Sequence, residues 1–318
     1  MTLRLADSWV WDSWYTRDDD GVHHAFFLRA SRALVDPERR HTHASIGHAI
    51  STDLTRWEIV ADALVPSDEP GWDDLATWTG NVVRAPDGRW LMFYTGVTRT
   101  QSTAVQRIGL ATSDDLLTWT RHGNGPVVEP DPTWYADSEG PDWGGAAWRD
   151  PWVFPDPDGD GWHMLITAHA TAGPPDGRGV IGHARSHDLL DWTVQPPLTS
   201  TAGFGHLEVP QVAVVDGQPL LLFCSNFGLR SEKDQLWAVP GSAVTGPWDL
   251  DRAQPVPVRG IYAPRLVQDT SNRWQLIGFA DVVDGRFVGE LCDPIPVTYT
   301  ADGLIPSDRN EPESRHVR

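Results

Sequence analysis

Three acidic residues stand beside apolar or aromatic neighbours where simple packing would favour Val or Ile. They are Asp12 in VWDSW (10–14), Asp150 in WRDPW (148–152) and Glu208 in HLEVP (206–210). Taken singly, any Asp or Glu is most often a solvated surface side chain. Gathered in one site, carboxylates do acid–base work, because crowded like charges raise at least one pKa and so divide acid from base. Cleavage of a glycosidic bond needs such a set: one carboxylate attacks or activates water, and another donates a proton to the leaving group. Glu208, flanked by Leu207 and Val209-Pro210, has the apolar setting of the proton donor. Asp12 precedes Ser13, whose hydroxyl offers a hydrogen bond that would keep an ionised nucleophile at low pKa. Asp150 follows Arg149, which favours its ionised form and a role in holding hydroxyl groups.

For these residues to meet, the chain must bring distant segments together, and an internal repeat shows how. IGHAISTDLTRW (46–57), IGLATSDDLLTW (108–119) and IGHARSHDLLDW (181–192) share Ile-Gly, Ser, Asp-Leu and a closing Trp at one spacing, with a degenerate copy at 236–248. Between them lie turn-plus-strand segments: DGVHHAFFL (20–28), DGRWLMFYT (87–95), DGDGWHMLIT (158–167), DGQPLLLFC (216–224) and SNRWQLIGF (271–279). Eight residues before each turn stands a motif residue: Asp12, Thr79, Asp150, Glu208 and Ala263. Repeats of this kind are read first, because they decide the architecture. Five units of strand, turn, strand, loop, strand, turn, strand predict an all-β fold, a single five-bladed β-propeller with four antiparallel strands per blade. The propeller is expected over residues 1–306, with 307–318 as a disordered tail. A two-sheet sandwich would not account for the constant phase. The first strand of each blade lines the channel, so the motif residues should occupy equivalent slots at one mouth. Long connections (29–44, 96–106, 129–147, 168–179 and 226–234) return to that face, as expected of a supported site.

Composition excludes several classes. The 318 residues carry 25 Lys+Arg against 44 Asp+Glu, a formal charge of −19, which repels phosphate backbones and disfavours nucleic acid as a partner. Two cysteines, Cys224 and Cys292, make neither a disulfide framework nor a zinc motif. No leader peptide and no apolar stretch of spanning length is visible, so the expectation is a cytoplasmic protein without a membrane partner. Phosphate loops, Gly-x-Ser-x-Gly elbows and redox cysteine pairs are missing, and no cofactor or metal is expected. DPDGDG (156–161) starts like a calcium loop but has Thr167 where the closing glutamate would stand, so a tight turn is expected. His23/His24, His41/His43 and the lone His169 read as surface or loop residues, and Trp57, Trp119 and Trp192 as blade packing.

VWDSW (10–14), WTGN (78–81), RDP (149–151) and EVP (208–210), in this order, resemble the levansucrase and invertase clan of fructan-active glycoside hydrolases, and more loosely the arabinan-active propellers. The resemblance implies a retaining double displacement on a β-fructofuranoside, sucrose or a short fructan, with transfer to a second sugar as a variant. Asp12 would be the nucleophile, Glu208 the acid/base and Asp150 the transition-state stabiliser with Arg149 beside it. Trp11, Trp78, Thr79 and Asn81 would line the donor site. Two positions depart from the pattern: Thr79 replaces a serine, and His206 stands where levansucrases carry a second glutamate. Two other readings stand beside this one. An inverting arabinofuranosidase- or xylosidase-like enzyme would hold its carboxylates about 6.5 Å or more apart instead of about 5 Å. A sugar-binding propeller would need no acids at all three positions.

Overall fold

The computed structural model describes residues 3–101, 105–136, 146–231 and 235–307. The expected tail from residue 308 onward, and parts of the connections expected around 102–104 and 137–145, lie outside the described residues.

Short apolar runs bounded by Asp, Gly and Pro form strands, and those in the middle of the sheets are buried along nearly their whole length. These strands build five antiparallel sheets. Blade one is β1 (Ser8–Arg17), β2 (His23–Ser31), β3 (Ser45–Ser51) and β4 (Glu58–Ile59). Blade two is β5 (Ala76–Arg84), β6 (Trp90–Val97), β7 (Gln106–Ser113) and β8 (Thr120–Arg121). Blade three is β9 (Trp148–Pro155), β10 (Trp162–His169), β11 (Gly179–Ser186) and β12 (Thr193–Gln195). Blade four is β13 (Glu208–Val215), β14 (Gln218–Ser225), β15 (Gln235–Pro240) and β16 (Gln254–Pro255). Blade five is β17 (Ile261–Gln268), β18 (Trp274–Val283), β20 (Ile295–Thr300) and β21 (Gly303–Pro306), with one added strand, β19 (Arg286–Leu291). The addition arises because β18 runs ten residues, past the two that pair with β20, and folds back through Asp284-Gly285 as a hairpin. The ring closes where Leu3 bridges Leu291 of β19 and Arg32 donates to the Val288 carbonyl.

The sequence repeat has a hydrogen-bonded cause. In each copy the Asp side chain accepts two backbone N–H groups of the turn: Asp53 from Thr55 and Arg56, Asp115 from Leu117 and Thr118, Asp188 from Leu190 and Asp191. The Ser hydroxyl braces the same Asp, and the following Leu54, Leu116 and Leu189 adopt the left-handed conformation that lets the chain reverse. The closing tryptophans then reach the preceding blade: Trp119 packs edge-on against Phe26 and Trp192 against Phe93. In two of the three copies the glycine of Ile-Gly makes room for an aromatic ring. A Cβ on Gly109 would stand 2.0 Å from the Trp72 ring, and one on Gly47 2.4 Å from Phe27. Overpacking of this kind costs about 1–3 kcal/mol. Gly109→Ala is therefore expected to lower the denaturant midpoint without changing its slope, and an unchanged midpoint would show that the ring has room to move.

Of the histidines read as surface or loop residues, His41 and His43 do lie in the connection 32–44, whereas His23 and His24 are buried in β2. His24 and His48 stack with Nδ1 and Nε2 2.9 Å apart, and His163 and His183 repeat the pair at 2.8 Å. Burial drives His48 and His183 down to about 3, which keeps both neutral. DPDGDG forms the expected turn, with Asp156 accepting from His163 and Arg185.

Candidate active site

Every innermost strand carries a β-bulge at its motif. The pairing skips between Trp11 and Ser13, Trp78 and Gly80, Arg149 and Trp152, Glu208 and Gln211, and Tyr262 and Arg265. Bulges bend a strand and re-aim its side chains, and here they do so five times around one axis. In blades three to five the bulged residue has a positive φ and precedes proline: Asp150 (57°), Val209 (52°) and Ala263 (45°). A non-glycine residue in that region is strained, which marks a built position.

Aligning the bulges sorts the motif residues into three sets. The outermost set is Trp11, Trp78, Arg149, Glu208 and Tyr262; the next is Asp12, Thr79, Asp150, Val209 and Ala263. Below them come Trp14, Asn81, Trp152, Gln211 and Arg265. This corrects the expectation that Glu208 is the counterpart of Asp12 and Asp150. It stands one residue earlier, in register with Arg149, because β13 and β14 are joined by the two-residue turn Asp216-Gly217 while the other blades use longer turns. Counting back eight residues therefore overshoots in blade four.

The three carboxylates nonetheless line one cleft of about 620 Å³, together with Trp11, Trp78, Thr79, Arg149 and His206. Glu208 is the most accessible of the salt-bridged pair on Arg149, its side chain 18 % exposed against 5 % for Asp150. Its Oε1 accepts from Arg149 Nη2 at 2.6 Å, and its Oε2 from the Tyr262 hydroxyl. The purely apolar setting expected from the sequence is not what surrounds it: Arg149 and Tyr262 face the carboxylate. Arg149 also lies 3.5 Å from Asp150 and 3.2 Å from Gln106, and 3.3 Å from His206 Nδ1. Burial would discharge this guanidinium, but Glu208 and Asp150 more than offset that and hold it protonated.

Asp150 is held by its own strained surroundings. Its Oδ2 receives the Val209 N–H at 3.2 Å and lies 2.9 Å from Thr167 Oγ1, and its own N–H donates to Thr95 Oγ1 at 3.0 Å. Burial pushes its pKa up, the Arg149 charge opposes this, and Glu208 adds to the rise.

Asp12 departs from expectation. Ser13 is bonded to the Tyr15 hydroxyl, 2.8 Å away, and it is Thr79 Oγ1 that donates to Asp12, at 2.5 Å. Nor is the Asp12 carboxyl held low: burial and the charge of Asp150 raise it to about 7, against the lowering by Thr79. Val at position 79 would keep the volume and remove the donor. Thr79→Val is expected to raise the Asp12 pKa by roughly one to two units, since a hydrogen bond to a charged group contributes about 1.5–3 kcal/mol. A 13C carboxyl titration would register this, and an unmoved curve would show that Thr79 does not hold the charge.

Asn81 does not belong with the donor-site residues. It is buried below the carboxylates, where its Oδ1 accepts the Val153 N–H at 3.0 Å and ties blade two to blade three. His169, read as standing alone, packs its ring 4.7 Å from His206. The connection 32–44 delivers Glu38, Arg40 and His41 to the cleft, with Arg40 over the Phe287 ring at 4.1 Å and Trp78 Nε1 donating to the His41 carbonyl. The β18–β19 hairpin adds Asp281, Val282 and Phe287. Tyr262, Thr95 and Thr167 escaped the sequence reading, although the YAPRL motif marked the first and the register of strand two against strand one could have marked the others.

A five-bladed propeller that gathers three carboxylates and an arginine at one mouth of its channel has the architecture of a propeller glycosidase. Residues 9–287 match the model described as the glycosyl hydrolases family 32 N-terminal domain, and the chain belongs to this family. A fructan 1-exohydrolase of Aegilops tauschii is 35% identical over 179 residues, 53% of this chain and 26% of that protein. An insoluble isoenzyme of β-fructofuranosidase from Arabidopsis thaliana is 31% identical over 204 residues, 60% of this chain and 32% of its own length. The chain thus spans about a quarter to a third of the length of these curated relatives. Among solved structures, the inulosucrase of Halalkalicoccus jeotgali bound to kestose shares the fold with a TM-score of 0.75 at 22% identity, covering 99% of this chain and 92% of that one. Fructan 1-exohydrolase IIa of Cichorium intybus gives 0.73 at 20% identity, covering 97% and 60%.

Proposed function

We propose that this chain cleaves β-fructofuranosides, sucrose or short fructans, by a retaining double displacement. The observation that carries the reading is Arg149 joined to both Glu208 and Asp150 at the mouth above Asp12, within a family 32 propeller. Asp12 is the nucleophile that attacks the anomeric carbon, Glu208 protonates the leaving oxygen and then deprotonates water, and Asp150 with Arg149 holds the fructosyl hydroxyls. Trp11, Trp78 and Thr79 wall the donor site. Burial and the neighbouring Asp150 charge push the Asp12 carboxyl up to about 7, well above the ordinary carboxylate range. Attack requires the ionised form of Asp12, so this raised carboxyl governs the acid side of the pH profile. A sugar hydroxyl can replace water at the second step, which gives transfer from the same intermediate.

The test is a proton NMR time course with sucrose, 1-kestose and nitrophenyl arabinofuranosides. β-Fructofuranose released first supports retention at fructose; inverted product, or turnover of the arabinofuranosides alone, overturns it.

A further inference from the structure

One buried charge in the channel has no role in the scheme above. Arg265, in YAPRL of β17, is 1 % exposed and lies in the register set directly below Asp12 and Asp150. Only one arm of its guanidinium is satisfied: Nη1 donates to the Val209 and Pro210 carbonyls of blade four at 3.1 and 2.5 Å. Nε and Nη2 are buried with no hydrogen-bond partner, and the Trp152 ring lies 5.0 Å from the guanidinium carbon. A guanidinium in such a place costs several kcal/mol unless opposite charge repays it. Among the described residues no carboxylate forms an ion pair with it, so the compensating charge acts through space from Asp150 and Asp12 above.

We propose that Arg265 is a positioning residue, a fixed positive charge under the site that keeps Asp12 available as a carboxylate. The geometry explains the placement. The two carbonyls that grip Nη1 belong to the bulge bearing Val209, whose N–H in turn donates to Asp150. The charge is thereby fixed relative to the acids without quenching either in a salt bridge. A paired arginine, such as Arg149, spends its field on its partner; an unpaired one in a dry channel acts at longer range. Burial lowers Arg265 to about 10, with Asp150 and Asp12 opposing the fall, so the group is still charged at neutral pH.

The inference rests on the fructosidase reading, but its readout is independent of turnover. The Asp12 carboxyl is titrated by 13C NMR, with its resonance assigned by difference against Asp12→Asn. Arg265→Gln removes the charge and keeps a donor for the carbonyls; Arg265→Lys keeps the charge. The expected result is an Asp12 pKa about one unit higher in Arg265→Gln and at the parent value in Arg265→Lys. Where the protein turns over fructosides, the acid limb of kcat/KM moves with it while KM does not. A folded Arg265→Gln whose Asp12 titrates as in the parent overturns the proposal and leaves Arg265 a blade-to-blade tie. If Arg265→Gln does not fold, Arg265→Lys decides: a parent-like titration supports the proposal, and a displaced one overturns it. Absence of turnover on every fructoside would remove the enzymatic reading while leaving the titration result intact.

Discussion

Asp12→Asn will abolish turnover and, at pH 8, make the protein more stable than its parent. Loss of activity follows from the chemistry: an amide cannot attack the anomeric carbon, and removal of a group acting directly on the reacting atoms costs at least about 10³-fold. The gain in stability follows from the electrostatics. The folded Asp12 pKa of about 7 lies above its ordinary value of 3.8. The folded state therefore holds this proton more tightly than the unfolded chain does, and stability is lost as pH rises from the lower value through the upper. Above pH 7 the ionised carboxylate costs on the order of 2–4 kcal/mol, which a neutral amide still able to accept from Thr79 avoids. Thermal unfolding of the two proteins should differ by several degrees at pH 8 and converge near pH 4. Equal melting at pH 8 would show that the site tolerates the charge. The same titration sets the rate: kcat/KM should fall about tenfold per unit below pH 7 as Asp12 becomes protonated in the free protein.

Glu208→Gln is the second large effect, and its signature is selective. A general acid contributes about 10²–10⁴-fold, and most where the leaving group is poor. Hydrolysis of sucrose should fall by that factor, whereas fructosyl fluoride, whose leaving group needs no proton, should lose far less in the first step. The substitution also strips Arg149 of its closest carboxylate, at 2.6 Å. The neutral amide leaves that buried cation with Asp150 alone, so a modest loss of stability should accompany the kinetic defect, opposite in sign to the effect at Asp12. An equal fall on both substrates would place Glu208 outside proton transfer and return it to a binding role.

The fold was legible because its repeats are covalent facts. Ile-Gly makes space for a neighbouring ring in two of the three copies, Ser-x-Asp-Leu builds a turn, and the closing Trp bridges blades, so each repeated letter has its own packing reason. The acids were legible for the same reason, as polar residues in apolar strands. What could not be read was side-chain direction. A bulge consumes one residue of register, and turn length varies between blades, so the phase that placed Asp12 and Asp150 misplaced Glu208 by one. Adjacency misled too: Ser13 is Asp12's chain neighbour, but neighbours on a strand face opposite sides, and the donor comes from Thr79 of the next blade. Asn81 shows the converse, a motif residue turned toward the blade joint. Arg265 carries no sequence signal of burial, since its surroundings come from other blades, Val209-Pro210 of blade four and Trp152 of blade three.

The set that holds Asp12, Thr79 and Asp150 has two members whose side chains carry no polar group, Val209 and Ala263. Their bulges are complete, their backbones already sit in the left-handed conformation, and their hydrogen bonds do not depend on the side chain. They are blank positions in an otherwise written ring. The polar chemistry of this set is thus confined to blades one to three, while the blade-four slot serves the site through its backbone, the Val209 N–H reaching Asp150.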